Sequence, residues 1–183
     1  MKSQESRLPQ LRMRFDRFDS LPEVELPKGY RLTNLRDAGV GDWIEALNAT
    51  EELGYWDPDR ATTWLEGERH AVKAGTMIVT FDGGPVATTC IIPPTATEPW
   101  SELGWVSVSP EHQGQSLGYQ VCLAVLHFAW EMGYPGIYLN TDDWRLPAIK
   151  TYLNLHFEPE MIHDSHPLRW KAVYEKLGVV RDL

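Results

Sequence analysis

A turn that joins a strand-like segment to a long apolar helical pattern is the feature that most constrains how this chain can fold. It lies within VSVSPEHQGQSLGYQ, residues 106–120, and contains Gly114 and Gly118. A helix that begins directly after such a turn leaves its first backbone N–H groups unpaired, and the aligned peptide dipoles place partial positive charge there. Glycines let the backbone approach an anion closely. The turn therefore predicts a phosphate or pyrophosphate site, although two glycines alone also suit an ordinary strand-to-helix connection.

The same turn lacks the features of two common nucleotide-binding loops. It has no Gly-Lys-Ser or Gly-Lys-Thr sequence, which a lysine-bearing phosphate loop requires. Its glycine spacing also differs from the dinucleotide-binding pattern Gly-x-Gly-x-x-Gly. A nucleoside triphosphate and a nicotinamide cofactor are therefore poor candidates for the anion.

Hydrophobic periodicity and turn residues predict a mixed, mostly antiparallel sheet with helices on both faces, an α/β (α+β) class. The start of the chain is charged and spotted with proline, so we expect an extended arm over residues 1–28 and a single domain over 29–183. Strands are predicted in YRLTNL, TMIVTF, PVATTCII, residues 103–108, GIYLNT and HFEPEMI. The sequence DGG between the second and third of these predicts a hairpin turn in which Gly83 and Gly84 are free to take positive φ. Helices are predicted over residues 37–48, from Pro58 with Asp57 as its N-cap, over 117–132, and in RLPAIKTYLNL and PLRWKAVYEKLG.

Composition argues against several kinds of partner. The net charge is −9 and the sequence pI is about 5.1, so no basic surface is available to bind a nucleic-acid backbone. An acidic chain attracts cationic partners instead. The segment HDSH contains two histidines and one aspartate, but a single short loop is a poor metal site, so we interpret it as surface and expect no metal.

The cellular location follows from cysteine usage and hydropathy. Cys90 and Cys122 have no CxxC spacing, which fits a reducing compartment. The sequence contains no apolar run long enough to cross a membrane, and its start lacks the apolar core of a secretion signal. We therefore expect a cytoplasmic protein that makes no membrane contact.

The segment VSVSPEHQGQSLG resembles the acyl-CoA signature of the GNAT superfamily of N-acyltransferases, Gln/Arg-x-x-Gly-x-Gly/Ala. Gln113 and Gly118 match the motif and Gly114 matches a common extra glycine, whereas Ser116 replaces the central glycine. The resemblance implies acetyl-CoA, or another acyl-CoA, as co-substrate. It also implies that the CoA pyrophosphate is held by backbone amides of Gln113, Gly114, Gln115, Ser116, Leu117 and Gly118, and that pantetheine pairs with the strand at Val106, Ser107 and Val108.

A second segment, RLPAIKTYLNLHF, resembles the GNAT motif Asn-x-x-Ala-x-x-x-Tyr-x-x-x-Gly-Phe. Ala148, Tyr152 and Phe157 fall in register, whereas Arg145 and His156 replace the asparagine and the glycine. In this superfamily the matching tyrosine commonly lies near the CoA sulfur, so the resemblance implies that Tyr152 is the general acid. The alternative is a tyrosine that only packs beneath the sheet.

Glu102 is the candidate general base, because several GNAT members carry a basic glutamate at a similar distance before the turn. Strict alternation along the strand would put Glu102 on the same face as Val106 and Val108. A glutamate that only solvates the strand entry is the alternative.

The acceptor pocket is implied to lie at the loop between the first two helices, NATEELGYWDPDR. Glu51, Glu52, Tyr55 and Trp56 combine carboxylates with aromatic rings, which suits a cationic amine. A solvated acidic face with core aromatics is the alternative.

These features together predict an N-acyltransferase that transfers an acetyl or other short acyl group to a primary amine of a small molecule or peptide. Cys122 lies within the long helix pattern, so direct transfer in a ternary complex is favoured over a covalent thiol intermediate. A non-catalytic acyl-CoA-binding regulatory or interaction module is the alternative. The acceptor, the acyl length and the oligomeric state, with a homodimer among the options, stay open.

Overall fold

The computed structural model describes residues 8–180. In this range the strands are Leu11–Phe15 (β1), Tyr30–Asn34 (β2), Met77–Phe81 (β3), Gly84–Ile92 (β4), Ser101–Val108 (β5), Ile137–Thr141 (β6) and Glu158–Glu160 (β7). The α-helices are Leu35–Ala38 (α1), Val40–Asn48 (α2), Pro58–Glu66 (α3), Leu117–Glu131 (α4), Leu146–Asn154 (α5) and His166–Leu177 (α6).

The strands form one mixed sheet in the order β2-β3-β4-β5-β6-β1-β7. Antiparallel pairing joins β2 to β3, β3 to β4, β4 to β5 and β1 to β7, whereas β5 and β6 run parallel. The parallel pair is connected through α4, as a crossover between parallel strands requires. The predicted mixed, mostly antiparallel sheet is confirmed.

The β3–β4 hairpin forms at the predicted DGG sequence, but with different residues in the turn. Asp82 and Gly83 have positive φ values of 49° and 87°, and Gly84 already belongs to β4. Two consecutive positive φ values match the twist of the flanking strands, and an Asp-Gly pair tolerates them. The prediction of positive φ at Gly83 is thus confirmed, whereas that for Gly84 is wrong, because the turn begins one residue earlier, at Asp82.

The chain divides into two compact units, and the larger one is Phe15–Tyr138. On one face of its sheet, α2 and α3 pack on a buried cluster formed by Leu35, Trp43, Leu47, Leu53, Trp56, Ala61, Ala71, Ile78, Cys90 and Ile92. On the other face, Phe128 of α4 and Ile91 of β4 close around Gly75, where a Cβ would clash with both side chains. Removal of this apolar surface from water stabilises the unit.

The second unit comprises residues 8–14 and 139–180. Arg169 of α6 forms an ion pair with Asp143 and donates a hydrogen bond to the carbonyl oxygen of Pro9 (2.7 Å). His166 begins α6 and is fully buried, so the interpretation of HDSH as surface is wrong for this residue. The reason is helical spacing, because His166 precedes the buried Trp170 by one turn and shares its face.

Part of the predicted N-terminal arm is a strand of the sheet. Residues 1–7 lie outside the described residues, but Leu11 and Met13 in β1 are fully buried, and β1 pairs with β7. The alternation of apolar residues with Arg12 and Arg14 is a strand signal, and the surrounding charges and prolines concealed it. Farther along, the backbone N–H of Glu25 donates to the Gln120 side chain of α4 (2.9 Å).

Candidate active site

The predicted anion-binding turn lies between β5 and α4. A 3₁₀ turn over Pro110–His112 follows β5, and residues 113–116 are exposed before α4 begins at the buried Leu117. Ser116, the residue that precedes the helix, makes no side-chain capping hydrogen bond, and no acidic side chain lies in the first turn of α4. The first amides of α4 thus have neither a capping side chain nor a carboxylate of their own turn, which suits an external anion.

Two residues of the turn have left-handed backbone conformations. The φ value is 76° at Gly114 and 60° at Ser116. Glycine adopts this conformation freely, whereas for an L side chain it costs roughly 1–2 kcal/mol. Ser116 departs from the GNAT motif, which has glycine there, but it retains the backbone conformation to which glycine is suited.

Replacement of Ser116 by glycine is therefore expected to raise the free energy of unfolding by about 0.5 kcal/mol, because relief of strain exceeds the added freedom of the unfolded chain. The affinity for CoA should be unchanged. Urea unfolding and CoA titration measure the two quantities. The control is Ser109→Gly, at a φ of −51°, which should destabilise the protein. Loss of CoA affinity in Ser116→Gly would instead assign a binding role to the serine hydroxyl.

Strand β5 contains a bulge at Trp105. Thr88 of β4 pairs with Ser107, and Cys90 pairs with Gly104, so β5 has one residue more than β4 between these pairs. Trp105 has a φ of 54°. An extra residue of this kind shifts the alternation of side chains along the strand by one position.

The bulge overturns the prediction that Glu102 shares a face with Val106 and Val108. Beyond the bulge, the Ser107 hydroxyl donates to the carbonyl oxygen of Ala46 in α2 (2.8 Å). The neighbouring Val108 faces α4, since its Cγ2 would lie 3.5 Å from a Cβ at Gly118. Val106, two residues before Val108, shares that face of the strand.

The side chain of Glu102, which precedes the bulge, faces the opposite side of the sheet from Val106 and Val108. Glu102 pairs with Ile92 of β4, whose side chain belongs to the cluster under α2 and α3. Directly paired residues of an antiparallel ladder share a face. Glu102 therefore faces the side of the sheet that α2 and α3 cover.

The Glu102 carboxylate is held by two other side chains of the same unit. Its Oε2 atom forms an ion pair with Arg69 and accepts a hydrogen bond from the Tyr138 hydroxyl (3.1 Å). The Glu102 side chain is 17% exposed. Burial, and then the negative charge of Glu102, raise the pKa of Tyr138 to about 12, so its hydroxyl stays protonated and able to donate.

The predicted acceptor residues separate into an exposed group and a buried one. Glu51, Glu52 and Tyr55 are exposed, and Tyr55 is 78% exposed. Trp56 is fully buried, and its backbone N–H and carbonyl both bond to the Asn48 side chain at 2.8 Å. Trp56 therefore offers no surface to an acceptor, and the structure leaves the other three as candidates.

The Arg60 side chain makes a cation–π contact with Trp56 of this loop. The Arg60 guanidinium lies 4.0 Å from the centroid of the Trp56 ring and donates to the carbonyl oxygen of Tyr55 (2.7 Å). The backbone N–H of Arg60 bonds to Asp57 Oδ1 (2.8 Å), which confirms Asp57 as the N-cap of α3. The cation–π contact expected for an acceptor is thus made by the protein itself at Trp56.

Tyr152 lies in the other unit, on α5. It is buried, and its ring centroid lies 6.0 Å from that of Phe157. His156, which replaces the motif glycine after α5, has a φ of 65°. Like Ser116, it keeps a left-handed conformation at a position where glycine is usual.

Three residues near the candidate site escaped the sequence analysis. Arg69 and Tyr138 contact Glu102, and His112 Nδ1 lies 2.9 Å from the Tyr30 hydroxyl, next to the predicted CoA turn. Each contact joins residues 33 or more positions apart. Only His112 had a local signal, which was its position directly before Gln113.

Residues 41–157 match the profile of the Acetyltransferase (GNAT) family. The chain belongs to this family. The match includes β5, the turn, α4 and α5, so both GNAT motifs lie within it. GNAT acetyltransferases use acetyl-CoA as co-substrate.

The chain is also similar to curated bacterial and human acetyltransferases. A mycothiol acetyltransferase of Nocardia farcinica is 28% identical over 155 residues, which are 76% of this chain and 48% of the relative. Human N-acetyltransferase 8B is 33% identical over 75 residues, 41% of this chain and 33% of the relative. The chain thus spans about half the length of the mycothiol acetyltransferase.

Solved GNAT structures share the fold. A GCN5-related N-acetyltransferase from Sphaerobacter thermophilus superposes with a TM-score of 0.62 at 17% identity, over 84% of this chain and 50% of that one. The ribosomal-protein-S18-alanine N-acetyltransferase of Escherichia coli gives a TM-score of 0.57 at 17% identity, over 70% and 77% of the two chains. At these identities the likeness concerns the fold alone.

Two further observations concern residues 8–180. No helix in this range is both long and apolar enough to cross a lipid bilayer. No three His, Cys, Asp or Glu side chains of the same range are grouped as ligands of a metal ion.

Proposed function

We propose that this GNAT family member transfers an acetyl or other short acyl group from acyl-CoA to a primary amine. The observation that carries the proposal is the arrangement of β5, which leads from the Glu102 carboxylate at one end to the uncapped α4 turn at the other. One strand thus connects a proton acceptor with an anion site. Acyl transfer from a thioester to an amine uses both.

The CoA pyrophosphate binds at residues 113–118. Its negative charge meets the partial positive charge of the α4 terminus and the amides of the exposed turn. Pairing of β5 with β6 covers Ser101 and Glu102, and within residues 8–180 this pairing does not extend to Val106, Ser107 or Val108. This edge of β5 supports pairing with the pantetheine amides.

Transfer proceeds directly, in a ternary complex. The amine nitrogen attacks the thioester carbonyl carbon, the new C–N bond forms and the C–S bond breaks. Glu102 accepts the amine proton, directly or through water, and Tyr152 protonates the departing thiolate. A thiol intermediate is disfavoured, because burial raises the pKa of both Cys90 and Cys122 and so opposes thiolate formation.

The acceptor is a small-molecule or peptide amine that carries positive charge before it reacts. The exposed Glu51 and Glu52 favour approach of an ammonium group, and the exposed Tyr55 ring offers it a cation–π contact. The buried free thiols fit a reducing compartment such as the cytoplasm.

Purified protein incubated with acetyl-CoA and a panel of amines tests this function, with free CoA thiol as the measured product. Acceptor-dependent thiol release, with the acetylated amine detected by mass spectrometry, supports it. The alternative is a non-catalytic acyl-CoA-binding module. Tight CoA binding without thiol release for any amine would favour that alternative.

Tyr152→Phe is expected to lower kcat by about 10²-fold, because the phenol hydroxyl acts as charge develops on the leaving sulfur. The KM for acetyl-CoA should change little. Steady-state kinetics measure both parameters. Tyr174→Phe removes a hydroxyl from another buried tyrosine of the same unit and should retain the wild-type rate. Equal turnover by Tyr152→Phe and wild type would remove Tyr152 from the mechanism.

A further inference from the structure

Arg69 presents a guanidinium group beside Glu102. Its Nη2 atom contacts Glu102 and donates a hydrogen bond to the Tyr138 hydroxyl (3.1 Å). The Arg69 side chain is 56% exposed. Within the described residues, no hydrogen bond or ion pair engages its Nε or Nη1 atoms. A guanidinium has five N–H donors in a planar fork, so donors are left for a second anion.

The backbone that follows Arg69 is anchored by two hydrogen bonds. The N–H of Ala71 donates to the carbonyl oxygen of Trp64 (2.7 Å), and the N–H of Val72 donates to that of Ile91 (2.9 Å). Ala71 is itself buried. Arg69 therefore projects from a loop that is anchored two residues away, which reduces the entropy lost when the side chain binds a ligand.

The charges at this position favour a ligand that carries both signs. Glu102 and Arg69 together have a formal charge of zero, so a simple cation would gain attraction from one and repulsion from the other. A molecule with an ammonium group and a carboxylate would satisfy both. Trp105, on the same strand as Glu102, packs edge-on against Trp64 with 4.9 Å between ring centroids, and both are only partly buried. They offer apolar surface to the rest of such a ligand.

We propose that the amine acceptor carries a carboxylate, as an amino acid does, and that Arg69 binds this carboxylate while Glu102 faces the ammonium group. This proposal rests on the N-acyltransferase function proposed above and names the class of its acceptor. A carboxylate oxygen of the acceptor accepts a charge-assisted hydrogen bond from the Nη1 group of Arg69, which neither Glu102 nor Tyr138 engages. Arg69 thus selects the acceptor at the same position where it holds Glu102.

Matched acceptors test the proposal. Alanine, leucine and phenylalanine are each compared with their carboxamides, which keep the amine and the side chain but lose the carboxylate charge. For the best pair, wild type should prefer the acid in kcat/KM by about 10- to 100-fold, the range of charge-assisted hydrogen bonds. Arg69→Gln should bring this ratio close to one, and Arg69→Lys should give an intermediate value. The control, Arg36→Gln, removes the same charge from an exposed position on α1 and should keep the wild-type ratio.

Calorimetric titration of the same pairs into CoA-saturated protein separates acceptor recognition from catalysis. Arg69-dependent binding of the acids without turnover would retain Arg69 as a carboxylate-binding residue and overturn the proposed function, and with it the role of the bound acid as an acceptor. Turnover in which acid and amide react equally well, or in which Arg69→Gln slows both to the same extent, would overturn this proposal and retain the function, since Arg69 would then only position Glu102. Absence of binding by all three acids would also overturn it.

Discussion

Glu102→Gln is expected to lower the rate of acetyl transfer at neutral pH by about 10²- to 10⁴-fold, the usual contribution of a general base. Alkylamines are mostly protonated near neutrality, so removal of the ammonium proton limits the reaction there. At alkaline pH free amine is abundant, and the mutant should partly recover. A pH–rate profile of wild type and mutant, up to about pH 9.5, measures this difference.

Titration of the Tyr138 hydroxyl does not contribute to this pH–rate profile. Its pKa of about 12 lies above the assay range, so the hydroxyl remains protonated while the amine loses its proton. Because the pKa of Tyr138 is raised, its neutral hydroxyl is present at any pH below that pKa and is lost only as the pH rises through it. Glu131→Gln, at the exposed end of α4, is the charge-matched control and should follow the wild-type profile. Superimposable profiles for wild type and Glu102→Gln would leave the base role to water or to Glu51 or Glu52.

Gly118→Trp is expected to weaken CoA binding by at least about 100-fold, because a bulky side chain at the start of α4 keeps the pyrophosphate away from two or more charge-assisted amide hydrogen bonds. Gly118→Ala should have a smaller effect in the same direction. Among residues 8–180, a Cβ at this position contacts only Val108, at the ordinary contact distance of 3.5 Å. Loss of CoA affinity in Gly118→Ala would therefore result from contact between the added methyl group and CoA, and not from a clash within the protein.

Direct CoA titration measures this effect, with unfolding curves recorded in parallel. Gly41→Trp is the control for bulk, because Gly41 is exposed on α2 and a Cβ there meets nothing within 4 Å. This variant should bind CoA as wild type does. Unchanged CoA affinity in a folded Gly118→Trp protein would move the pyrophosphate site away from the turn.

The sequence predicted those parts of the molecule that depend on local spacing. The turn before α4, the N-cap at Asp57 and the hairpin at DGG all follow from residues within a few positions of one another. The predicted bounds of α4 were also close to the observed ones, because an apolar pattern of this length is too long for a strand and fits a helix. Fold class follows from the order of these elements.

The sequence did not reveal features that depend on pairing between distant segments. Strict alternation misplaced Glu102 because nothing near Trp105 marks the extra residue, which is defined only by the register against β4. Trp56 was assigned to the acceptor site because the residues around a loop tryptophan do not reveal whether its side chain is buried or exposed. Arg69 was overlooked because its two partners lie 33 and 69 positions away.

The extra residue in β5 allows one strand to serve two surfaces that can change separately. Substitutions in the half before Trp105 alter the chemistry beneath α2 and α3, whereas the other half keeps Val108 against α4. An engineer could therefore retarget the acceptor by redesign around Glu102 and Arg69 and leave the cofactor turn intact. Deletion of Trp105 would be far more damaging, because it would rotate Glu102 to the apolar α4 side, away from Arg69.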